Sequence, residues 1–265
     1  MEQDWLSAPR FFVADRVEPG ATAVRVTGDE AHHGLRVLRL GIGQAVVVLD
    51  GSGMEYRGTI EAVRAGGAPE FAVRVVAALS SPAEPDLFVH LVQGIPKGDK
   101  LEYVLQKGTE VGVSAFWPVW TERVLVLFGG DKAEARRARW QRIAAEAAKQ
   151  SRRAILPAVS APAGLFDVAR ELREGGVELL VLWERATTPL REALRSLGRR
   201  GARDARPAVA LVVGPEGGLT PQEVEGLEAL GARCATLGPR ILRSETAGPV
   251  AAALVLYEFE EANHR

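Results

Sequence analysis

A chain of 265 residues with 47% apolar and 25% charged content fits a soluble globular protein of one large or two small domains. No apolar run approaches the ~20 residues of a membrane span, the start Met-Glu-Gln-Asp-Trp lacks the regions of an export signal, and the single Cys234 excludes a disulfide framework or cysteine zinc site, so a cytoplasmic protein is expected. With a net charge of −1, any nucleic-acid affinity must come from local basic patches.

Residues 1–79 read as a small β-rich domain. Val24 and Val26 alternate with polar neighbours, 45–49 is continuously apolar, and Tyr56, Gly58, Ile60 and Ala62 share one side of a strand, as do Phe71, Val73 and Val75 on another. Asp50-Gly51-Ser52-Gly53 is a turn, and 29–39 reads as a short helix. His32 and His33 point about 100° apart on a helix, so no metal site is expected there. Ser80-Ser81-Pro82-Ala83-Glu84-Pro85 marks a linker over 80–86.

From 87 to 265 the pattern becomes strands alternating with helices, which predicts a parallel α/β sheet. A strand at 87–92 leads to Gly94-Ile95-Pro96-Lys97-Gly98; Asp99 then reads as an N-cap with Glu102 at N3, Leu101, Val104, Leu105, Gly108 and Val111 as the inner stripe, and Gly112 as the stop. A strand follows at 115–119. Asp131 with Glu134 reads as a capping box opening a helix to about Ser151, with Trp140, Ile143, Ala144 and Ala147 inward and Arg139, Arg142 and Lys149 outward, and Arg152 and Arg153 just past its end. A buried strand at 177–183 exits through Glu184-Arg185, and 198–206 is a Gly/Arg/Ala linker.

The densest information lies after it. Six apolar residues at 208–213 predict a strand buried on both faces. Gly214-Pro215-Glu216-Gly217-Gly218 breaks it, and Thr220, Pro221 and Glu223 form a capping box for the next helix. A second glycine loop, Leu237-Gly238-Pro239-Arg240-Ile241-Leu242-Arg243-Ser244-Glu245-Thr246-Ala247, leads to a final helix at 250–259. Strand, glycine loop, helix lets backbone N–H groups approach a ligand. Neither common nucleotide fingerprint is present.

Val-Gly-Pro-Glu-Gly-Gly-Leu-Thr-x-x-Glu at 213–223, with Leu-Gly-x-Arg-Ile-Leu-Arg-x-Glu-Thr-Ala at 237–247, resembles the C-terminal signature of the RsmE family, bacterial enzymes that methylate N3 of one uridine in 16S ribosomal RNA. Gln93–Val113, Trp120-Thr121-Glu122-Arg123, Glu146-x-x-x-Gln150-Ser151-x-Arg153, Pro9-Arg10-Phe11-Phe12, the His-His pair before Val37-Leu38-Arg39, and Asp50-Gly51 are similar too. The resemblance implies a SPOUT-type parallel sheet with a C-terminal trefoil knot holding S-adenosylmethionine, preceded by a small PUA-like β-barrel. It also implies a homodimer, and 16S rRNA in the small ribosomal subunit as partner, without membrane or metal.

On that reading the donor pocket is formed by Leu182, Trp183 and Glu184, by Gly214, Pro215, Glu216, Gly217 and Gly218, and by Leu237, Gly238, Ile241, Leu242, Arg243, Thr246 and Ala247. Leu237, Ile241 and Leu242 are expected to pack the adenine faces. Arg10, Arg36, Arg39, Lys97, Lys100, Arg123 and Arg153 are RNA-contact candidates. Arg243 is the candidate for stabilising the uracil N3 anion, with Arg10 as alternative, and Glu245 or Glu216 for accepting the proton or orienting the arginine. Two positions depart from the family pattern: Ser244 replaces a threonine, keeping the hydroxyl, and Gly248-Pro249 predicts a late start for the last helix. Ribose 2′-O methylation and a non-catalytic RNA-binding module are the competing readings.

Overall fold

The computed structural model describes residues 5–64, 66–124, 129–196 and 207–263; the leader reading at 1–4 and the linker at 198–206 lie outside them. The chain divides into two compact units, Met1–Glu84 with Ala148–Leu156, and Pro85–Ala147 with Pro157–Arg265.

The first unit contains β1 (Arg10–Phe12), β2 (Ala23–Thr27), α1 (Gly28–His32) running into a π-helical turn (His33–Val37), β3 (Ala45–Leu49), β4 (Met54–Arg64) and β5 (Glu70–Ser80). The sheet order is β1-β3-β4-β5-β2, with β1 parallel to β3 and the other pairs antiparallel. Alternation sends Val24, Val26, Ile60, Phe71 and Val73 into one core, where Phe11 meets Phe71 edge to face at 5.2 Å. Gly58 sits at a register shift between β4 and β5; a β-carbon there would fall 2.4 Å from the Arg74 carbonyl oxygen, so only glycine allows that approach.

Residues 148–156 group with this unit, an excursion absent from the sequence reading. Ala154 joins Ala8, Val47 and Leu49 in a small apolar cluster, and Arg153 pairs with Glu84.

The second unit contains β6 (Phe88–Gly94), α2 (Lys100–Val111), β7 (Ala115–Trp120), α3 (Asp131–Gln150), whose last turn belongs to the first unit, β8 (Ala158–Val159), β9 (Ala163–Gly164), α4 (Leu165–Glu174), β10 (Glu178–Leu182), α5 (Leu190–Ser196), β11 (Ala208–Val213), α6 (Pro221–Ala229), β12 (Arg233–Ala235) and α7 (Ser244–Asn263). Its strands are all parallel in the order β12-β10-β11-β6-β7-β8, with β9 also on β7. The continuous apolar run of β11 has a simple cause. Val209, Leu211 and Val213 face a core shared with α2, α3, α5 and α7, while Ala210 and Val212 face one shared with α4 and α6.

The α6 capping box forms as read, with Thr220 Oγ1 accepting the Glu223 N–H at 3.1 Å and the Glu223 carboxylate accepting the Thr220 N–H at 2.8 Å. The other two caps differ. Asp99 caps α2 through its carbonyl, which accepts the Glu102 N–H at 3.0 Å, and without a side-chain bond, while the Glu102 carboxylate pairs with Arg139. Asp131 already lies inside α3: the Gly130 carbonyl accepts the first bonds, and Glu134 is taken by Arg137. Val111 turns outward rather than into the α2 stripe.

The last helix starts at Ser244, six residues before the sequence reading, and carries Pro249 inside it. The Arg243 carbonyl accepts the Thr246 and Ala247 N–H groups, each at 2.9 Å, so the helix is nucleated ahead of the proline. Buried packing holds it through that point, since a β-carbon at Gly248 would lie 3.0 Å from Leu91 Cδ2.

Candidate functional site: loops at the carboxyl edge of the parallel sheet

Leu182 stands level with Val213 and with Ala235, Val213 with Gln93, and Gly94 with Val119. Five parallel strands therefore end at one edge, and their exit loops emerge together. Open parallel sheets bind ligands at this edge.

The first glycine loop leaves β11 there. A β-carbon at Gly214 would fall 2.7 Å from the Gly218 carbonyl carbon, and one at Gly94 would fall 2.6 Å from Pro215 Cδ. Backbone thus lies against backbone. Gly218, at φ 69°, donates its N–H to the Pro215 carbonyl at 2.9 Å and closes the turn. Buried Gln93 ties the loop down by donating Nε2 to the carbonyls of Gly94 (3.1 Å) and Gly214 (3.3 Å). Arg123 donates to the Gly217 carbonyl. A β-carbon at Gly218 would lie 3.6 Å from both Glu184 carboxylate oxygens, so the β10 exit borders this loop.

Glu216 reaches back across the edge, accepting the Lys97 N–H at 3.0 Å and the Lys100 ammonium at 2.8 Å. Burial pulls its carboxyl toward the neutral form, but the Lys100 and Lys97 bonds outweigh that and hold it below the ordinary glutamate value. The bond to Glu216 raises Lys100 in turn.

The second glycine loop leaves β12. Trp183 donates its backbone N–H to the Ala235 carbonyl at 3.1 Å, and Thr236 exchanges backbone bonds with Thr188 and Leu190. Gly238, at φ 108°, turns the chain, its N–H held by Thr236 Oγ1 at 3.2 Å. Leu237 packs against the core and Leu242 is half-buried, whereas Ile241 is 87% exposed. At the start of α7, the Glu245 carboxylate accepts the Ser244 hydroxyl at 3.2 Å, lies 3.7 Å from Lys100 Nζ and lies 4.0 Å from Arg243 Nη1. The Arg243 side chain is 84% exposed.

The structure thus groups Glu184 with Gly214–Gly218, and Glu216, Glu245 and Arg243 around Lys100. Lys97 stays exposed at the rim, while Lys100 and Arg123, read as RNA contacts, hold loops. Gln93 was missed as a site residue; a polar side chain closing the strand at 87–92 was the available signal.

In the first unit, Arg36 and Arg39 are exposed, with Arg39 left-handed at φ 56°. Two candidates there are held by carboxylates. Arg153 is 2% exposed and pairs with Glu84 at 2.8 Å, while the Glu84 carboxylate also accepts the Ala154 and Ile155 N–H groups at 2.7 and 2.9 Å. A guanidinium so enclosed holds the fold and does not reach RNA. The Arg10 guanidinium pairs through Nη2 with Glu55, itself buried and bonded by Ser81 and Arg57.

A sulfonium nucleoside fits the carboxyl edge on two counts. Gly238 has nothing within 4 Å of where a β-carbon would stand, so its backbone is open to a ligand, and Trp183 Nε1, at the β10 exit, is a buried donor with no hydrogen-bond partner among the described residues. Among the described residues no cluster suited to a metal ion is found.

Residues 83–256 match the family model described as an RNA methyltransferase domain, and residues 26–67 match an RNA methyltransferase PUA domain. The chain is 33% identical over 259 residues to a ribosomal RNA small subunit methyltransferase E from Bacillus subtilis, covering 95% of this chain and 97% of the relative. The crystal structure of a ribosomal RNA small subunit methyltransferase E from Neisseria gonorrhoeae bound to S-adenosyl methionine superposes with a TM-score of 0.76 at 30% identity, over 94% of this chain and 97% of that one. A methyltransferase from Legionella pneumophila in complex with SAM superposes with a TM-score of 0.74 at 29% identity, over the same shares. A chain matched in this way over nearly its whole length, with glycine loops at the carboxyl edge of a parallel sheet, belongs to the ribosomal RNA small subunit methyltransferase E family.

Proposed function

We propose that the protein transfers a methyl group from S-adenosylmethionine to N3 of one uridine in the 16S RNA of the small ribosomal subunit. The observation that carries this reading is the glycine cradle beside the Arg243–Glu245–Lys100–Glu216 cluster, in a chain of this family. When bound, S-adenosylmethionine supplies a methyl on a cationic sulfur: the N3–C bond forms as the S–C bond breaks with its electron pair left on sulfur, and the N3 proton passes to solvent.

The chain's own task is then to hold and polarise. Backbone groups of Gly214–Gly218 and of the Leu237–Leu242 loop hold the donor, with Leu182, Trp183 and Glu184 along one side and Thr246 and Ala247 at the helix start. Uracil N3 is weakly acidic and normally engaged in pairing, so an unpaired base must enter. The exposed Arg243 guanidinium favours its anion, with the Glu245 carboxylate 4.0 Å away. Glu216 is a poor base, because its charge is already satisfied by Lys100 and Lys97. Lys97, Arg36 and Arg39 meet phosphate.

The finer architecture follows the same reading. A trefoil knot is supported by α7, which follows β12 in the chain yet packs on α2, β11 and β6. A PUA-like barrel is supported by the five-stranded sheet. A homodimer is supported by the exposed Val250, Leu254 and Tyr257, four and three residues apart along α7. A cytoplasmic setting fits a ribosomal substrate. Incubating small subunits from cells lacking the gene with methyl-labelled donor, then digesting the RNA to nucleosides, tests the reading. Label in 3-methyluridine supports it; label on a ribose 2′ oxygen, or none, rejects it.

A further inference from the structure

Resting on the assignment of Arg243 above, we propose that Lys100 is a positioning residue: it neutralises Glu245 and pins Glu216, which keeps the Arg243 guanidinium free to face the uracil anion. One ammonium, from the first residue of α2, stands 2.8 Å from Glu216 in the first glycine loop and 3.7 Å from Glu245 at the start of α7. The two carboxylates belong to the first glycine loop and to the helix that follows the second. Arg243 Nη1 lies 4.0 Å from Glu245, beyond hydrogen-bond distance, with the guanidinium facing solvent.

The cation nearer to Glu216 thus also serves Glu245, whose remaining bond comes from the Ser244 hydroxyl. Without Lys100, Glu245 is left with Arg243 as its one neighbouring cation among the charged groups of the cluster, namely Glu216, Glu245, Arg243 and Lys100. The guanidinium would then close onto the carboxylate, and its field at the pyrimidine would be spent on Glu245. Lys100 and Arg243 are near enough that each opposes the other's charge, which adds to the outward bias of the arginine. A lysine suits this place because a compact charge serves two carboxylates without the fixed fork of an arginine.

The test compares Lys100→Met, Lys100→Arg, the double variant Lys100→Met with Glu245→Gln, and Arg243→Ala. Each is measured for kcat against pH on unmethylated small subunits and for S-adenosylmethionine Kd by calorimetry. The expected result is a kcat about tenfold or more lower for Lys100→Met at neutral pH, with the rise of the profile moved about one pH unit toward alkali. Donor Kd should stay within about twofold, and both Lys100→Arg and the double variant should recover most of the rate. A wild-type profile for Lys100→Met overturns the proposal, as does a loss that the second substitution does not relieve. Arg243→Ala separates the two levels: full activity there rejects the site assignment and this proposal together, whereas an inactive Arg243→Ala beside an unaffected Lys100→Met rejects only the role of Lys100.

Discussion

Glu223 holds together two loops that are far apart in sequence: its carboxylate accepts the N–H of Thr220 at 2.8 Å and that of Glu122, 101 residues earlier, also at 2.8 Å. A single side chain therefore closes the α6 cap and fastens the exit of β7 to it. Glu223→Ala removes the acceptors of both N–H groups, the Thr220 one buried and the Glu122 one part-buried, and should cost about 3 kcal/mol in urea unfolding, more than a helix cap alone. Glu223→Gln, which keeps one acceptor, should cost about half as much.

Arg153 and Glu84 predict a different balance. Removing one partner of a buried ion pair leaves the other charge unmatched, so Arg153→Ala should destabilise by about 3–5 kcal/mol. Replacing both residues with apolar side chains should restore part of that. RNA affinity of folded Arg153→Ala, and its dependence on salt, should remain as in the parent, whereas Arg39→Ala should reduce the salt slope by about one.

His90 gives the protein an acid-sensitive element. Its Nδ1 accepts the Trp117 indole N–H at 3.1 Å, which requires the neutral ring, and burial lowers its pKa from 6.5 to about 4. The unfolded chain therefore binds the proton more readily between those values, and stability falls as pH drops from 6.5 toward 4. The full swing corresponds to about 3 kcal/mol. Denaturant midpoints measured across this range should fall more steeply for the parent than for His90→Gln, which keeps an acceptor for Trp117 but does not titrate.

Gly214→Ala tests the cradle. Its β-carbon would meet the Gly218 carbonyl carbon at 2.7 Å and the Leu219 nitrogen at 2.8 Å, and neither backbone atom can move without opening the loop. Donor affinity by calorimetry should fall by about tenfold or more, while Gly66→Ala, with nothing within 4 Å, should leave it unchanged.

The strongly patterned parts of this fold were legible in the sequence. The six apolar residues of β11 announce burial on both faces, and Thr220 with Pro221 and Glu223 announces the start of α6, because each signal is local. Where side chains are claimed by distant partners, local signals mislead. Asp131 with Glu134 has capping-box spacing, yet Gly130 takes the first position and Arg137 takes Glu134. Arg153 follows a basic helix face and reads as exposed, but Glu84, 69 residues earlier, draws it inside. Pro249 reads as a late helix start, and packing of Gly248 against Leu91 and Gln93 overrides it. Glycine loops could be read as places of close approach, but not the single ammonium that spans two of the site's loops.

Diffraction from crystals soaked with S-adenosylmethionine is the most direct test of the donor site. The nucleoside is expected between the Gly214–Gly218 turn and the Leu237–Leu242 loop, its methyl directed toward the side of Arg243. Density for the nucleoside away from the carboxyl edge of the seven-stranded sheet would contradict it.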